Sequence, residues 1–396
     1  MEYLNSELKL PCGVVLPNRI CKSALSENMA DTGGIVSQRL FTLYELWGKG
    51  GAGLLITGNV MVDKNALGEK RNVVVENETH LPELTKWAKI AQQNGTPLWM
   101  QINHPGRQAP KTYNKDVVGP SAIGIQGKML FAVPRPLTES EIWNIIERFG
   151  NTALIAKKAG FSGVQIHGAH GYLVSQFLSP LANIRTDQWG GSLENRARFV
   201  IEIYKNIRAK VGLDFPVGIK INSADFQRGG FTEEESMEVI DLLSKLGMDL
   251  IEISGGTYEK AAMMGSGYKN STRLREAYFA EYIVKARQRI KAPLMLTGGF
   301  RTVSVMEEAL AQNELDMVGL GRAFALYPKL AKEIFEGSRT ACPIEAITTG
   351  VKAIDKMGFL DTLWHAAQLK EMAEGRVPNP KLSPWKVMGN MAKAML

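Results

Sequence analysis

Short apolar runs recur along the chain, and most are followed by an amphipathic stretch with helical spacing. The runs are Ile20–Leu25, Gly53–Thr57, Leu98–Ile102, Gly163–His167, Val217–Ile221, Leu250–Ser254, Leu294–Thr297 and Met317–Gly319. Helical patterns fill the intervals at Ser37–Gly48, Leu81–Asn94, Thr138–Ala159, Leu193–Val211, Thr232–Leu246, Arg275–Ile290, Val303–Gln312 and Pro328–Glu336. Start and stop signals agree with these limits. Thr138 with Glu141, and Thr232 with Glu235, have the spacing of a capping box, and Gly160, Gly212 and Gly247 stand where helices end. Eight strand–helix alternations predict an α/β fold closed as a (β/α)8 TIM barrel. An open doubly wound sheet would more naturally carry a GxGxxG turn after an early strand, and none occurs.

The connections are unequal. Leu8–Leu16 alternates around Pro-Cys-Gly and predicts a hairpin closing the barrel floor. Asn103–Leu137 spans 35 residues, rich in Pro and Gly, far beyond a usual strand-to-helix turn, and Gly255–Leu274 is a second long loop. Long loops on the C-terminal face of a barrel commonly cover the site. After Glu336 two more helical stretches precede a Pro-studded tail, Arg376–Leu396. No linker marks a second domain, so 1–396 reads as one barrel domain with 337–396 a C-terminal helical extension.

Composition narrows the class. With 396 residues, 45% hydrophobic and 22% charged, the chain reads as a soluble globular enzyme rather than a disordered one. No apolar run reaches the ~18 residues of a membrane helix, and the N-terminus lacks the build of a secretory signal. Cys12, Cys21 and Cys342 are too few for a disulfide framework or for the four thiolates of an iron–sulfur cluster, so a cytoplasmic, reducing compartment is expected. The net charge of +7 fits a solvated basic surface, with a weaker reading that part of it draws anionic cofactors. No basic run or aromatic motif indicates nucleic acid.

The chemistry concentrates after the fourth strand, where His167, His170 and Tyr172 fall within six residues. Strand ends hold side chains rigidly toward a cleft. Two readings stay open for the histidines: a metal site with His104 and a carboxylate such as Asp225 or Glu252, or two donors to one carbonyl oxygen. Late in the chain, Thr297-Gly-Gly-Phe-Arg301 and Gly319-Leu-Gly-Arg322 follow strands seven and eight, where barrels commonly hold phosphate. Glycines admit close backbone approach, and Arg322 can fork onto phosphate oxygens.

The segment IHGAHGYLVSQFLSPLANIRTDQWGGSLENRARF closely resembles the active-site segment of the Old Yellow Enzyme family, FMN-dependent ene-reductases on an eight-stranded barrel. The resemblance extends over most of the chain, through Leu16-Pro-Asn-Arg-Ile20, Gly53-Leu-Leu-Ile-Thr-Gly58 and Gln101-Ile-Asn-His-Pro-Gly-Arg107 as well as the two glycine motifs. It implies tightly bound FMN, with NADH or NADPH as electron donor. His167 and His170 would hold the substrate oxygen and Tyr172 would donate the proton. The cofactor would lie against Ser23, Ala24, Leu25, Ser26, Gly58, Gln101 and Lys220, with its phosphate at Gly298, Gly299, Phe300, Gly321 and Arg322. Departures are Ser26, where relatives carry cysteine or threonine, and Asn28, where one branch has tyrosine. Relatives acting on dienoyl-CoA append a cluster and an FAD domain. Without those cysteines, this chain is expected to take electrons directly from the nicotinamide.

The implied reaction is reduction of the activated C=C bond of an α,β-unsaturated carbonyl compound. The alternatives are another small oxidised or xenobiotic substrate, or a metal-dependent hydrolase. Partners are expected to be the small-molecule substrate alone, without nucleic acid or membrane. A homo-oligomer stays open, since the tail bearing Trp385, Met388, Met391 and Met395 can cover a neighbour or its own barrel.

Overall fold

The computed structural model describes residues 1–125, 130–255, 280–355 and 360–395. Most of the expected loop Gly255–Leu274 and the first residues of the helix Arg275–Ile290 lie outside them. Eight parallel strands form the barrel: β1 (Ile20–Lys22), β2 (Leu54–Ile56), β3 (Leu98–Asn103), β4 (Gly163–Gly168), β5 (Val217–Asn222), β6 (Leu250–Ser254), β7 (Leu294–Thr297) and β8 (Met317–Leu320). Each pairs with its chain neighbours, and β8 pairs with β1, closing the ring. Outside it run α1 (Gln38–Gly48), α2 (Leu81–Gln92), α3 (Glu139–Lys158), α4 (Leu193–Val211), α5 (Glu233–Lys245), α6 (Ala280–Arg287) and α7 (Val303–Ala311). Beyond β8 come α8 (Arg322–Leu326) and α9 (Leu330–Phe335), then α10 (Leu360–Ala373) and α11 (Pro384–Met395).

Both capping boxes form. Thr138 and Thr232 accept from the backbone N–H of Glu141 and Glu235, whose carboxylates accept in return from the threonine N–H groups. A cap of this kind contributes about 1 kcal/mol.

Alternate strand residues face opposite sides. Outward residues such as Leu55, Met100, Val164, Ile219, Ile251 and Val318 join the helices in the main apolar core. Inward residues at the N-terminal end, among them Cys21, Leu54, Trp99, Leu250, Met295 and Met317, form a separate cluster with Leu8, Leu10 and Leu16. Those last three come from the foreseen hairpin, whose strands Leu8–Lys9 and Val15–Leu16 pair antiparallel. Trp99 fills so much of this floor that the facing positions on β4 and β5, Gly163 and Gly218, admit no side chain. A Cβ at Gly163 would lie 2.5 Å from its Nε1, and one at Gly218 would lie 2.8 Å from its Cζ3.

Three features depart from the sequence reading. β1 stops at Lys22 rather than Leu25: the Ser23 N–H still donates to Leu320 O (3.0 Å), but Ala24–Ser26 leave the sheet half-buried. The segment 103–137 carries structure of its own, a 3-10 turn at Gly106–Gln108 and a parallel pair of Val118–Gly119 with Arg135–Pro136. The tail is helical from Pro384. Its Pro-rich turn is docked on α10, where Gln368 Nε2 donates to Asn379 O (2.9 Å) and Trp364 Nε1 to Leu382 O (2.8 Å). Among the described residues no helix is long and apolar enough to cross a membrane.

Candidate active site

Moving up the same strands, the inward positions change from apolar to polar. Gln101 on β3 faces Gln165 on β4, His167 on β4 faces Lys220 on β5, and Lys220 faces Glu252 on β6. The amides link these strands: Gln101 Nε2 donates to Gln165 Oε1, and Gln165 Nε2 to Glu252 Oε2, both at 2.7 Å. Lys220 Nζ lies 2.9 Å from Glu252 Oε1, an ionic contact without hydrogen-bond alignment, since that oxygen has no hydrogen-bonding partner. Both side chains are buried. Glu252, considered as a metal ligand, is therefore spent inside the barrel.

β4 ends at Gly168, and the next residues bring the three foreseen groups together. His170 has a left-handed backbone, φ 61°, unusual for a residue with a side chain. Two bonds hold it there: its N–H donates to Asn222 Oδ1 (3.1 Å) and its carbonyl accepts from Gln108 Nε2 (2.9 Å). The ring centres of His167 and His170 are 5.1 Å apart, and those of His167 and Tyr172 are 4.7 Å apart. Tyr172 precedes the short helix Leu173–Leu178, and its hydroxyl accepts from Asn59 Nδ2 at 3.4 Å.

Burial drives both imidazoles well below their ordinary pKa, and the nearby Lys220 charge lowers them further. They are neutral at pH 7, so each has one N–H and one lone pair. On His167 the Nδ1 lone pair is taken by the Ala169 N–H (3.3 Å), which leaves the proton on Nε2.

The other candidates for a metal site lie elsewhere. His104 Nδ1 accepts from the Gly106 N–H (3.1 Å), and burial lowers its pKa to about 4. Asp225 accepts from Ser179 Oγ (2.5 Å) and the Phe231 N–H (3.1 Å), tying two loops together. Among the described residues no three His, Cys, Asp or Glu side chains are placed to hold a metal ion.

Other strand ends at the same mouth of the barrel carry backbone that is not fully buried. Ala24, Leu25 and Ser26 after β1, Gly298 and Gly299 after β7, and Gly321 and Arg322 after β8 are half-buried at the mouth of an otherwise sealed barrel. Gly298 and Gly299 have φ of 124° and 97°, and Phe300 beside them is buried. At Gly319 a Cβ would lie 1.9 Å from Thr297 Oγ1 and 2.6 Å from Ser23 Oγ, two hydroxyls that are themselves 2.8 Å apart. A flat ring with a phosphate tail suits this end of the barrel: the backbone of Gly298, Gly299 and Gly321 admits close approach, and Gln101, Lys220 and Arg322 supply polar and cationic groups.

Three foreseen contacts have protein partners that the sequence did not suggest. Arg322 Nη1 pairs with Asp361 Oδ2 of α10 at 3.1 Å, although the side chain keeps part of its surface open. The Ser26 hydroxyl bonds Glu69. Gly58 is buried, with its N–H donating to Glu27 Oε1 (3.0 Å), and a Cβ there would strike Glu27 and the Leu25 carbonyl. Gly58 thus supports the β1 end from behind.

Fold and site together define a flavin-dependent barrel oxidoreductase. The chain belongs to the NADH:flavin oxidoreductase / NADH oxidase family, the Old Yellow Enzyme family, which it matches over residues 10–340. FMN is the cofactor and NADH or NADPH the electron donor. The chain is 37% identical to the NADH-dependent flavin oxidoreductase iliE of Hypocrea jecorina, over 83% of this chain and 87% of that protein. A 2-naphthoyl-CoA reductase in complex with 2-naphthoyl-CoA superposes with a TM-score of 0.80 at 30% identity, over 86% of this chain and 54% of that one. The old yellow enzyme from Trypanosoma cruzi shares the fold, with a TM-score of 0.75 at 21% identity over 87% of this chain and 94% of that one.

Proposed function

We propose that the protein reduces the activated C=C bond of α,β-unsaturated carbonyl compounds. The observation that carries this reading is the cluster of two neutral imidazoles and a phenol at the mouth of the barrel, level with a buried Lys220–Glu252 pair. Bound FMN supplies the hydride, taken from NADH or NADPH. Gln101, Lys220, Ser26 and the backbone of Ser23, Ala24 and Leu25 would hold its ring, and Gly298, Gly299, Phe300, Gly321 and Arg322 its phosphate.

The residues of the chain do the rest. His167 and His170 donate to the substrate carbonyl oxygen, where negative charge grows as the β carbon is reduced, so their bonds strengthen in the transition state. Neutral imidazoles serve as donors without adding charge to a site that already holds Lys220. Tyr172, within ring contact of His167, gives its proton to the α carbon. The naphthoyl thioester in the name of one relative is itself a carbonyl conjugated to carbon–carbon double bonds, which supports the substrate class.

The test is anaerobic. NADH or NADPH should bleach the flavin absorbance of the purified protein, and 2-cyclohexenone should restore it with formation of the saturated ketone. A flavin that is bleached but not reoxidised by any of a panel of enones would leave only the nicotinamide oxidase activity and overturn the proposal.

A further inference from the structure

The two histidines can serve as a donor pair only if both turn an N–H to the substrate. His167 does so through Nε2, because its Nδ1 is occupied by the Ala169 N–H. His170 is arranged the other way round. Its Nε2 lies 2.9 Å from the Ser254 hydroxyl at the end of β6, so the nitrogen left for the substrate is Nδ1.

Which atom donates in that contact follows from the serine. Ser254 is 2% exposed, and among the described residues His170 is the one recorded partner of its hydroxyl. Were His170 to donate from Nε2, the serine proton would be buried without an acceptor, a penalty of ~1–3 kcal/mol. With the serine donating to Nε2, its proton is satisfied and the imidazole proton moves to Nδ1, which has no protein partner among the described residues and is not buried. We propose that Ser254 is a positioning residue that sets the tautomer of His170, so that the pair presents Nε2–H of His167 and Nδ1–H of His170 to one substrate oxygen. The identity of that oxygen rests on the proposed function; the tautomer does not.

The strands make this possible. His170 sits left-handed at the β4 end, pinned by Asn222 at the end of β5, while Ser254 approaches from β6 beyond it. Three adjacent strand ends therefore fix one ring: its place in the chain, its backbone angle and its proton.

The test reads the proton directly, by long-range 15N–1H correlation of the oxidised holoenzyme labelled at histidine nitrogen. Resonances are assigned by comparison with His170→Gln and His167→Gln. His170 is expected as the Nδ1–H tautomer and His167 as the Nε2–H tautomer. Ser254→Ala should shift His170 toward Nε2–H while leaving His167 unchanged, and Ser254→Thr, which keeps the hydroxyl, should restore it. In parallel, p-chlorophenol affinity, followed by its long-wavelength absorbance with the oxidised flavin, should fall about tenfold in Ser254→Ala and recover in Ser254→Thr. His170 found as Nε2–H in the wild type, or unchanged in Ser254→Ala, would overturn the assignment. If Ser254→Ala fails to fold, the wild-type tautomer decides alone. A correct tautomer in a protein inert toward enones would sink the substrate reading and leave Ser254 standing.

Discussion

The floor and the mouth of the barrel are built from the same strands, two to four residues apart, yet they obey different rules. On β3 the step is from Trp99 to Gln101, on β4 from Gly163 to Gln165 and His167, and on β6 from Leu250 to Glu252 and Ser254. The floor is apolar, plugged by the hairpin and fitted around one indole. The mouth is polar, and it holds a half-buried His170 beside a buried His167 and a buried charge pair that water would favour more. An apolar, closely fitted floor offsets part of what the polar groups at the mouth cost.

Breaking the floor should have the largest effect. Trp99→Ala removes the side chain around which Gly163 and Gly218 are shaped, and should cost about 3–5 kcal/mol in denaturant unfolding at fixed FMN concentration. The protein that remains folded should keep its affinity for phenols, which would separate floor from mouth.

In the mouth, Lys220→Met leaves Glu252 as an uncompensated charge in the barrel and should cost ~3 kcal/mol. Adding Glu252→Gln should recover most of that loss. If the double variant is no better than the single one, the two side chains are not a mutually dependent pair.

Acid provides a milder probe. Burial lowers the His104 pKa to about 4, so between pH ~6.5 and that value the unfolded chain binds a proton that the folded one refuses. Stability should therefore fall as pH drops through this window, by at most ~3 kcal/mol from His104, with His167 and His170 acting in the same direction. His104→Asn should flatten the stability curve there, and an unchanged slope would contradict the assignment.

The barrel was legible because its strands are short buried runs bounded by caps and glycines. β6 and β7 have the expected limits, and both threonine capping boxes close. His167, His170 and Tyr172 were legible because a strand end and its following turn place near neighbours in sequence together. What stayed hidden depends on contacts between distant strands. Glu252 drew notice as a carboxylate, but its pairing with Lys220 comes from the β5–β6 register. Ser254 meets His170 across 84 positions, and Asp361 reaches Arg322 only because α10 docks beside α8. The two-residue strands Val60–Met61 and Val73–Val74 are too short to show a period.

The central claim is that the phenol of Tyr172 supplies the proton of alkene reduction, and rapid mixing of Tyr172→Phe tests it by separating the two half-reactions. Flavin reduction by NADH or NADPH should keep its wild-type rate, while reoxidation by 2-cyclohexenone slows by about 10²–10⁴-fold. Reoxidation at the wild-type rate, with the saturated ketone still formed, would contradict the account.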